Sequence, residues 1–216
     1  MKKAKINWWA IGLELLVVFL GVTAGFMLQN YQENRSERDL ESKYLDGFKT
    51  DLRANIESLN SHFSEDSTWI VGHNYAIRQI ESKELSEDSA NTLFRSMAFI
   101  SRFSPQIVTY ENITNSGNLG LIKDYDIRNA IVQYHMELSE HNILEEYYQD
   151  YHQMQLLPFF ILNYDVFSQK WSSDNIYKGI EFHNHFGAVF SFKQQCANGY
   201  HSLLQSSEAL LARLEE

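Results

Sequence analysis

The sequence contains little cysteine, proline and glycine, and each shortage excludes a class of structure. One cysteine among 216 residues cannot form a disulfide within the chain or a zinc site with several cysteine ligands. Two prolines and 10 glycines are too few for a turn-rich β-sandwich or a collagen-like chain. A fold held by disulfides or built from many tight turns is therefore excluded.

Basic residues are also few. The 18 Lys and Arg stand against 28 Asp and Glu, which gives a formal net charge of -10. A nucleic-acid-binding protein normally presents a basic face, so this balance argues against that class. Hydrophobic residues make up 44% of the chain and aromatic residues 14%, which excludes intrinsic disorder for most of it.

The longest apolar segment lies near the N-terminus and runs from Trp8 to Leu28. Its 21 residues include one charged residue, Glu14, and as a helix they span about 31 Å, which matches the hydrocarbon thickness of a bilayer. We expect a single retained transmembrane helix. A cleaved signal peptide, with its cleavage site at the small residues of 22–24, is the competing interpretation, and the segment's length and Glu14 argue against it.

Basic residues flank the predicted span on both sides, and the N-terminal group lies closer to it. The two groups are Lys2, Lys3 and Lys5 before the span, and Arg35, Arg38 and Lys43 after it. Because positive charge is retained on the cytoplasmic side of a membrane, we expect the N-terminus in the cytoplasm and the body of the protein outside it.

The chain becomes polar directly after the span, and apolar residues then recur at steps of three and four, which is a helical pattern. We expect the span to continue as a helical stalk to about Phe63, and a second helix to cover 66–82. The residues predicted to pack along the stalk are Leu45, Phe48, Leu52 and Ile56.

Helix start and stop signals divide the rest of the chain. The predicted helices cover 86–102, 106–115, 124–157 and 188–215, with a short strand as one possibility at 181–187. No alternation of strands and helices is present, so the body is predicted to be an all-α helical bundle. The expected divisions are 1–30 for the tail and transmembrane helix, 31–64 for the stalk, and 65–216 for the bundle.

Two passages carry a resemblance to a known family. The first is Glu14–Val22, ELLVVFLGV, with a polar helix directly after it, and the second is Tyr110–Asp124, YENITNSGNLGLIKD, followed by the apolar positions of 127–134. In both passages the chain resembles a family of small membrane-anchored bacterial proteins known only as a domain of unknown function. The resemblance implies a helical, anchored bacterial protein, here with a periplasmic body at the inner membrane, and it implies no activity.

Glu14 is the most unusual residue of the span, because an ionised carboxylate facing lipid is unfavourable by several kcal/mol. At 100° per residue, Gly21 and Gly25 each lie about 20° from Glu14 on the helix. The two glycines form a GxxxG pattern, which permits close approach of a second helix. We therefore predict a membrane helix-contact face of Glu14, Gly21 and Gly25. The alternatives are that Glu14 extends to the membrane interface, or that it couples to a proton or an ion.

No other residues form a convincing catalytic, cofactor or metal site. His183 and His185 could present two imidazoles on one side of an extended segment, but a surface loop packed by aromatic residues is the preferred interpretation. Cys196 has no recognisable catalytic partners around it. We expect a protein that is not an enzyme and that has no cofactor.

The sequence therefore favours a structural or interaction subunit that forms a homo-oligomer or joins a larger membrane-protein complex. Its expected partners are the lipid bilayer and other membrane-protein chains, and not nucleic acid. The alternative is a membrane-anchored sensory or small-ligand-binding module, in which the aromatic-rich segments line a pocket.

Overall fold

The computed structural model describes residues 8–216, and they confirm the predicted all-α class. Residues 1–7, with the three lysines of the orientation prediction, lie outside the described residues, as do the side chains of Trp8 and of 10–12. The elements follow in this order: α1 Trp8–Glu81, α2 Glu87–Met97, α3 Val108–Asn115, a 3₁₀ turn Asn118–Leu121, α4 Tyr125–Tyr151, a π-helical turn His152–Leu156, α5 Leu157–Asn163, β1 Tyr164–Asp165, β2 Lys170–Trp171, α6 Asp174–Tyr177 and α7 Ile180–Glu215.

Helix α1 is one continuous helix of 74 residues, about 111 Å long. The predicted break between Phe63 and Asp66 is wrong, because Asp66 lies inside the helix and pairs with Lys193 of α7. Nζ of Lys193 is 2.6 Å from Oδ1 of Asp66, and each side chain is about one-tenth exposed. The polar residue at the expected helix start therefore faces the body of the protein.

Helix α7 runs antiparallel to α1 along the second half of α1. The ion pair of Asp66 with Lys193 joins the two helices in the middle. Arg53 and Glu215 join them nearer the start of the body, with Nη2 of Arg53 2.6 Å from Oε1 of Glu215. The C-terminal end of α7 therefore lies closer to the apolar segment of α1 than its N-terminal end does.

Helix α4 also runs antiparallel to α7, and so in the same direction as α1. Glu145 of α4 accepts a hydrogen bond from Tyr200 of α7. Six residues further along α4, the hydroxyl of Tyr151 lies 2.7 Å from Nδ1 of His185. The core lies between these three long helices, where Leu59, Ile131 and Phe182 are fully buried, among other residues.

Several predicted helix ends agree with the structure. Oγ of Ser86 accepts a hydrogen bond from the backbone N–H of Ser89, so Ser86 caps α2. Asp124 caps α4 by accepting from the first N–H groups of that helix. Gly117 has φ +70, a left-handed conformation that glycine adopts without strain, directly after the end of α3.

Other predicted ends are wrong. Helix α2 stops at Met97 rather than near Arg102, because side chains from other elements bind the carbonyl oxygens that a longer helix would use: Nε1 of Trp69 donates to Ser96, and Nε2 of His152 lies 3.0 Å from the oxygen of Ala98. Pro158 does not end the helical segment. The π-helical turn His152–Leu156 precedes the proline, which lies in the first turn of α5, where a helix tolerates it.

An aromatic cluster joins α2, α5 and the small β1–β2 hairpin. The ring centre of Phe94 is 4.6 Å from that of Phe160 and 4.0 Å from that of Tyr164, and Trp171 of β2 lies beside all of them. The segment 159–171 is thus divided between the buried rings of α5 and the hairpin.

Candidate contact surfaces

From Leu13 onward, the described side chains of the apolar N-terminal segment of α1 are not buried against the body. The segment is long and apolar enough to cross a membrane, and its most apolar part is not buried anywhere in the described structure. This makes it a candidate membrane span by length and composition, a test that a signal sequence near an N-terminus also passes.

The three predicted contact residues lie on one exposed face of this segment. Glu14, Gly21 and Gly25 are all exposed, and the regular α1 helix keeps each glycine about 20° from Glu14. Apart from the neighbouring residues and the backbone of α1 itself, no described atom lies within 4 Å of the position that a Cβ would take at either glycine. Among the atoms that the structure describes, none from the body of the chain therefore covers this predicted face.

The residues predicted to pack along the stalk pack instead on the body of the same chain. Phe48 and Leu52 are each 2% exposed and belong to the main core, and Leu45 and Ile56 pack against that core while partly buried. A second chain could not use Phe48 or Leu52 without opening the core. The division of the chain at residues 30 and 64 stays a prediction, although core residues lie within 31–64.

The body first meets α1 at Glu37. Nζ of Lys123 lies 3.1 Å from Oε2 of Glu37, and the backbone N–H of Lys123 donates to Oε1 of Glu41 at 2.6 Å. Only eight residues, Gln29–Ser36, separate the apolar segment from this junction, and as a helix they span about 12 Å. The body is therefore held close to the end of the candidate span.

A buried carboxylate organises the centre of the body. Oε1 of Glu145 accepts hydrogen bonds from the N–H of Phe103 at 3.0 Å and from the hydroxyl of Tyr200, and Nε2 of His141 lies 3.7 Å away. Burial raises the pKa of Glu145, but the neighbouring His141 and the two hydrogen-bond donors together lower it below its usual value. The carboxylate is thus ionised in the folded protein and fixes the connector after α2.

This polar cluster is structural in character rather than catalytic. Glu145, His141 and Tyr200 each expose less than a tenth of their surface, so a substrate would reach them only if the core opened. Gly199 on α7 makes the arrangement possible, because a Cβ there would collide with the imidazole of His141. The cluster therefore locks α4 against α7.

His183 and His185, which the sequence offers only as an alternative metal pair, do not converge in the structure. The segment is the first two turns of α7, not a loop or a strand, because Phe182, Phe186 and Val189 form a buried helical stripe. Residues two apart on a helix point about 200° apart, so His185 is buried against Tyr151 while His183 lies on a different side. Among the described residues, no group of three or more His, Cys, Asp and Glu side chains could hold a metal ion.

Cys196 lies in the core at 2% exposure. Burial raises the pKa of its thiol to about 12, with Asp66 and Glu145 adding to the shift. Because the thiolate is the nucleophilic form, the thiol is inert at neutral pH in the folded protein.

An exposed apolar surface that the sequence did not predict lies at the hairpin and the end of α5, and we call it the hairpin patch. Its four residues are exposed by 77% at Ile161, 79% at Leu162, 65% at Val166 and 100% at Phe167. Asp165 is a residue type that favours turns, and it forms one here. Its Oδ1 accepts a hydrogen bond from the N–H of Phe167 at 2.9 Å where the chain reverses. Exposed apolar patches of this kind are typical of contact sites.

Comparison with protein-family models, with curated proteins and with solved structures finds no match for this chain. The resemblance to a family of membrane-anchored bacterial proteins therefore stays a prediction.

Proposed function

We propose that this chain is a single-pass protein of the bacterial inner membrane, with its N-terminus in the cytoplasm and its helical body in the periplasm, and that it acts as an interaction subunit. The observation that carries the proposal is the contact face of Glu14, Gly21 and Gly25, which has no neighbour among the described residues. The hairpin patch supports the same class of function, because it is a second apolar surface left uncovered on the body.

The partner on the contact face is a second copy of this chain. Identical helices anchored in the same orientation meet residue against residue at the same depth, so a two-fold pair places glycine against glycine. The missing side chains let the two backbones approach closely and gain van der Waals contact. The same pairing brings the two Glu14 carboxyl groups together, where one shared proton reduces two negative charges to one and keeps that charge between the helices rather than against lipid.

The test is the molecular mass of the full chain in mild detergent, measured by light scattering after size-exclusion chromatography. We expect the wild type to be oligomeric and the double variant Gly21→Leu, Gly25→Leu to be monomeric, because the added side chains exclude the partner helix without reducing the apolarity of the segment. Thr23→Leu is the matched control, since position 23 lies about 180° from Glu14.

Two outcomes contradict this assignment. One is an unchanged oligomeric mass for the double glycine variant, and the other is an equal loss of mass for Thr23→Leu. Glu14→Leu should weaken the oligomer by about 0.6–2 kcal/mol per contact, and Glu14→Gln should weaken it less because an amide still forms hydrogen bonds.

The second candidate function is a membrane-anchored ligand-binding module. One observation favours it, namely a concave cavity of about 490 Å³ at the end of the body far from the apolar segment. This volume falls within the range of small-molecule sites in proteins.

A further inference from the structure

The cavity lies where α1 ends and α7 begins, about 78 Å along α1 from the end of the apolar segment. Its walls combine aliphatic side chains with cationic and imidazole groups: Ile80, Leu85, Ile180, Lys83, Lys178 and His183. Leu85 is buried, whereas Ile180 is 77% exposed. The cavity therefore presents uncovered apolar surface directly beside positive charge.

Lys83 occupies a backbone position that normally belongs to glycine. Its φ is +60, and the backbone N–H groups of Lys83 and Glu84 donate to the carbonyl oxygens of Ile80 and Gln79. This is the Schellman arrangement that closes a helix, in which glycine avoids the strain that a side chain brings to the left-handed region. The chain keeps a lysine here although glycine would fit the backbone better.

Lys178 supplies the second positive charge. Its Nζ lies 3.4 Å from Oδ2 of Asp174, but both side chains are at least half exposed, so this pair holds the ammonium group only weakly. Nε2 of His183 has no hydrogen-bond partner within the described part of the chain. Burial lowers the pKa of His183, so at neutral pH the positive charge of the cavity comes from the two lysines.

We infer that this cavity binds a small organic anion with an aliphatic chain, the ammonium group of Lys83 taking the charged head and Ile80, Leu85 and Ile180 covering the chain. The inference rests on the second candidate function and is independent of self-association. An inorganic anion would make no apolar contact with the aliphatic walls. A neutral apolar molecule would form no ion pair with the lysines. The site requires both parts of the ligand.

The probe is hexanoate, titrated by calorimetry into the full chain reconstituted in lipid nanodiscs, with empty discs as the blank. We expect hexanoate to bind at least tenfold more tightly than 1-hexanol or inorganic phosphate, because only hexanoate carries both features. Lys83→Gly should weaken hexanoate binding by about tenfold or more. The same variant should raise the unfolding midpoint by about 2–4 °C, since it removes the left-handed strain.

Gln169→Gly is the matched control. Gln169 is the other described non-glycine residue with a positive φ, at +56, and it lies in the hairpin outside the cavity lining. Its replacement should raise the unfolding midpoint in the same way and leave hexanoate binding unchanged.

The inference is overturned if hexanoate gives no heat beyond that of empty discs, if 1-hexanol or phosphate binds as tightly, or if Lys83→Gly binds hexanoate like the wild type. The detergent mass of Lys83→Gly separates this result from self-association, because the variant leaves the contact face intact and should remain oligomeric.

Discussion

At the level of single residues, Lys193 and Asp66 place an ion pair in the middle of the body, and Nζ of Lys193 also lies 5.9 Å from the ring centre of Trp69. Burial raises the pKa of Asp66, and the Lys193 ammonium works against that rise without cancelling it. Removing two charges from water largely offsets their attraction. We therefore assign the pair a role in aligning α1 with α7 more than in adding net stability.

Breaking this pair from one side should be strongly destabilising. Lys193→Met leaves Asp66 buried without a counter-charge, and we expect a loss of about 3–5 kcal/mol in the free energy of unfolding. Urea unfolding of the full chain in detergent, followed by tryptophan fluorescence, measures this change.

Two further variants test the explanation. The double variant Asp66→Leu, Lys193→Met should recover most of the loss, because an apolar pair of similar volume needs no counter-charge. Lys178→Met, at the exposed pair with Asp174, should change the stability by less than about 1 kcal/mol. A Lys193→Met effect as small as that of Lys178→Met would contradict a buried, mutually dependent pair.

His135 gives the protein a pH-dependent stability. It lies face to face with Tyr110, with ring centres 3.8 Å apart, and burial lowers its pKa to about 4, while Asp51 opposes this shift weakly. Between about pH 6.5 and pH 4 the unfolded chain binds a proton that the folded chain does not. Stability from His135 is therefore complete above pH 6.5 and is lost as the pH falls towards 4, by about 3 kcal/mol.

The variant His135→Gln should flatten this part of the pH dependence, although it lowers stability at pH 7 because the stack with Tyr110 is lost. The measurement is the free energy of unfolding at pH 7.0 and pH 4.5 for the wild type and the variant. Exposed His201→Gln serves as the control and should keep the wild-type slope. An unchanged slope in His135→Gln would show that other groups carry the effect.

At the level of elements, the helix ends that the sequence predicts correctly depend on atoms only a few residues apart. Ser86, Asp124 and Gly117 satisfy or terminate a helix through atoms within a few residues, so sequence alone could reveal them. The apolar spacing along 45–56 also predicted a helical stripe correctly, because periodicity depends only on helix geometry. What that stripe packs against was not a local property.

The wrong predictions have distant causes. Helix α1 continues through Asp66 because the Asp66 carboxylate pairs with Lys193. Lys193 lies 127 positions later in the chain, outside any local pattern. Helix α2 ends early because Trp69 and His152 bind the carbonyl oxygens of Ser96 and Ala98. In each case a side chain from another element satisfies a group that the local sequence leaves open, and no local pattern contains that information.

Of the candidate surfaces, one also follows from local sequence and the others depend on distant contacts. The alignment of Glu14 with Gly21 and Gly25 follows from helix geometry, so the sequence could place these residues on one face. The cavity could not be anticipated, because Lys83 and Ile180 come together only when α7 folds back beside the end of α1. The exposure of Phe167 likewise depends on the aromatic cluster that covers the other side of the hairpin.

At the level of the whole molecule, the proposed topology makes a direct prediction. Alkaline phosphatase fused to the C-terminus should be active, because that enzyme requires the periplasm, and the fusion should sediment with membranes. A fluorescent protein that matures only in the cytoplasm should stay dark at the same position. The reverse pattern would invert the orientation, and release of active fusion into the soluble periplasm would indicate a cleaved signal sequence instead of an anchor.

Because α1 is one continuous helix, a rotation at its N-terminal end also moves its C-terminal end. The helix runs unbroken from the apolar segment through the body to the cavity, so that the two ends of α1 turn together. From Leu28 to Glu81 the helix is about 80 Å long, and a change of about 10° in the tilt of the apolar segment displaces the far end of α1 by about 14 Å. Tilt responds to bilayer thickness and to the crossing angle of a partner helix. If the segment spans a bilayer, bilayer thickness and helix crossing angle therefore determine where the cavity lies above the membrane.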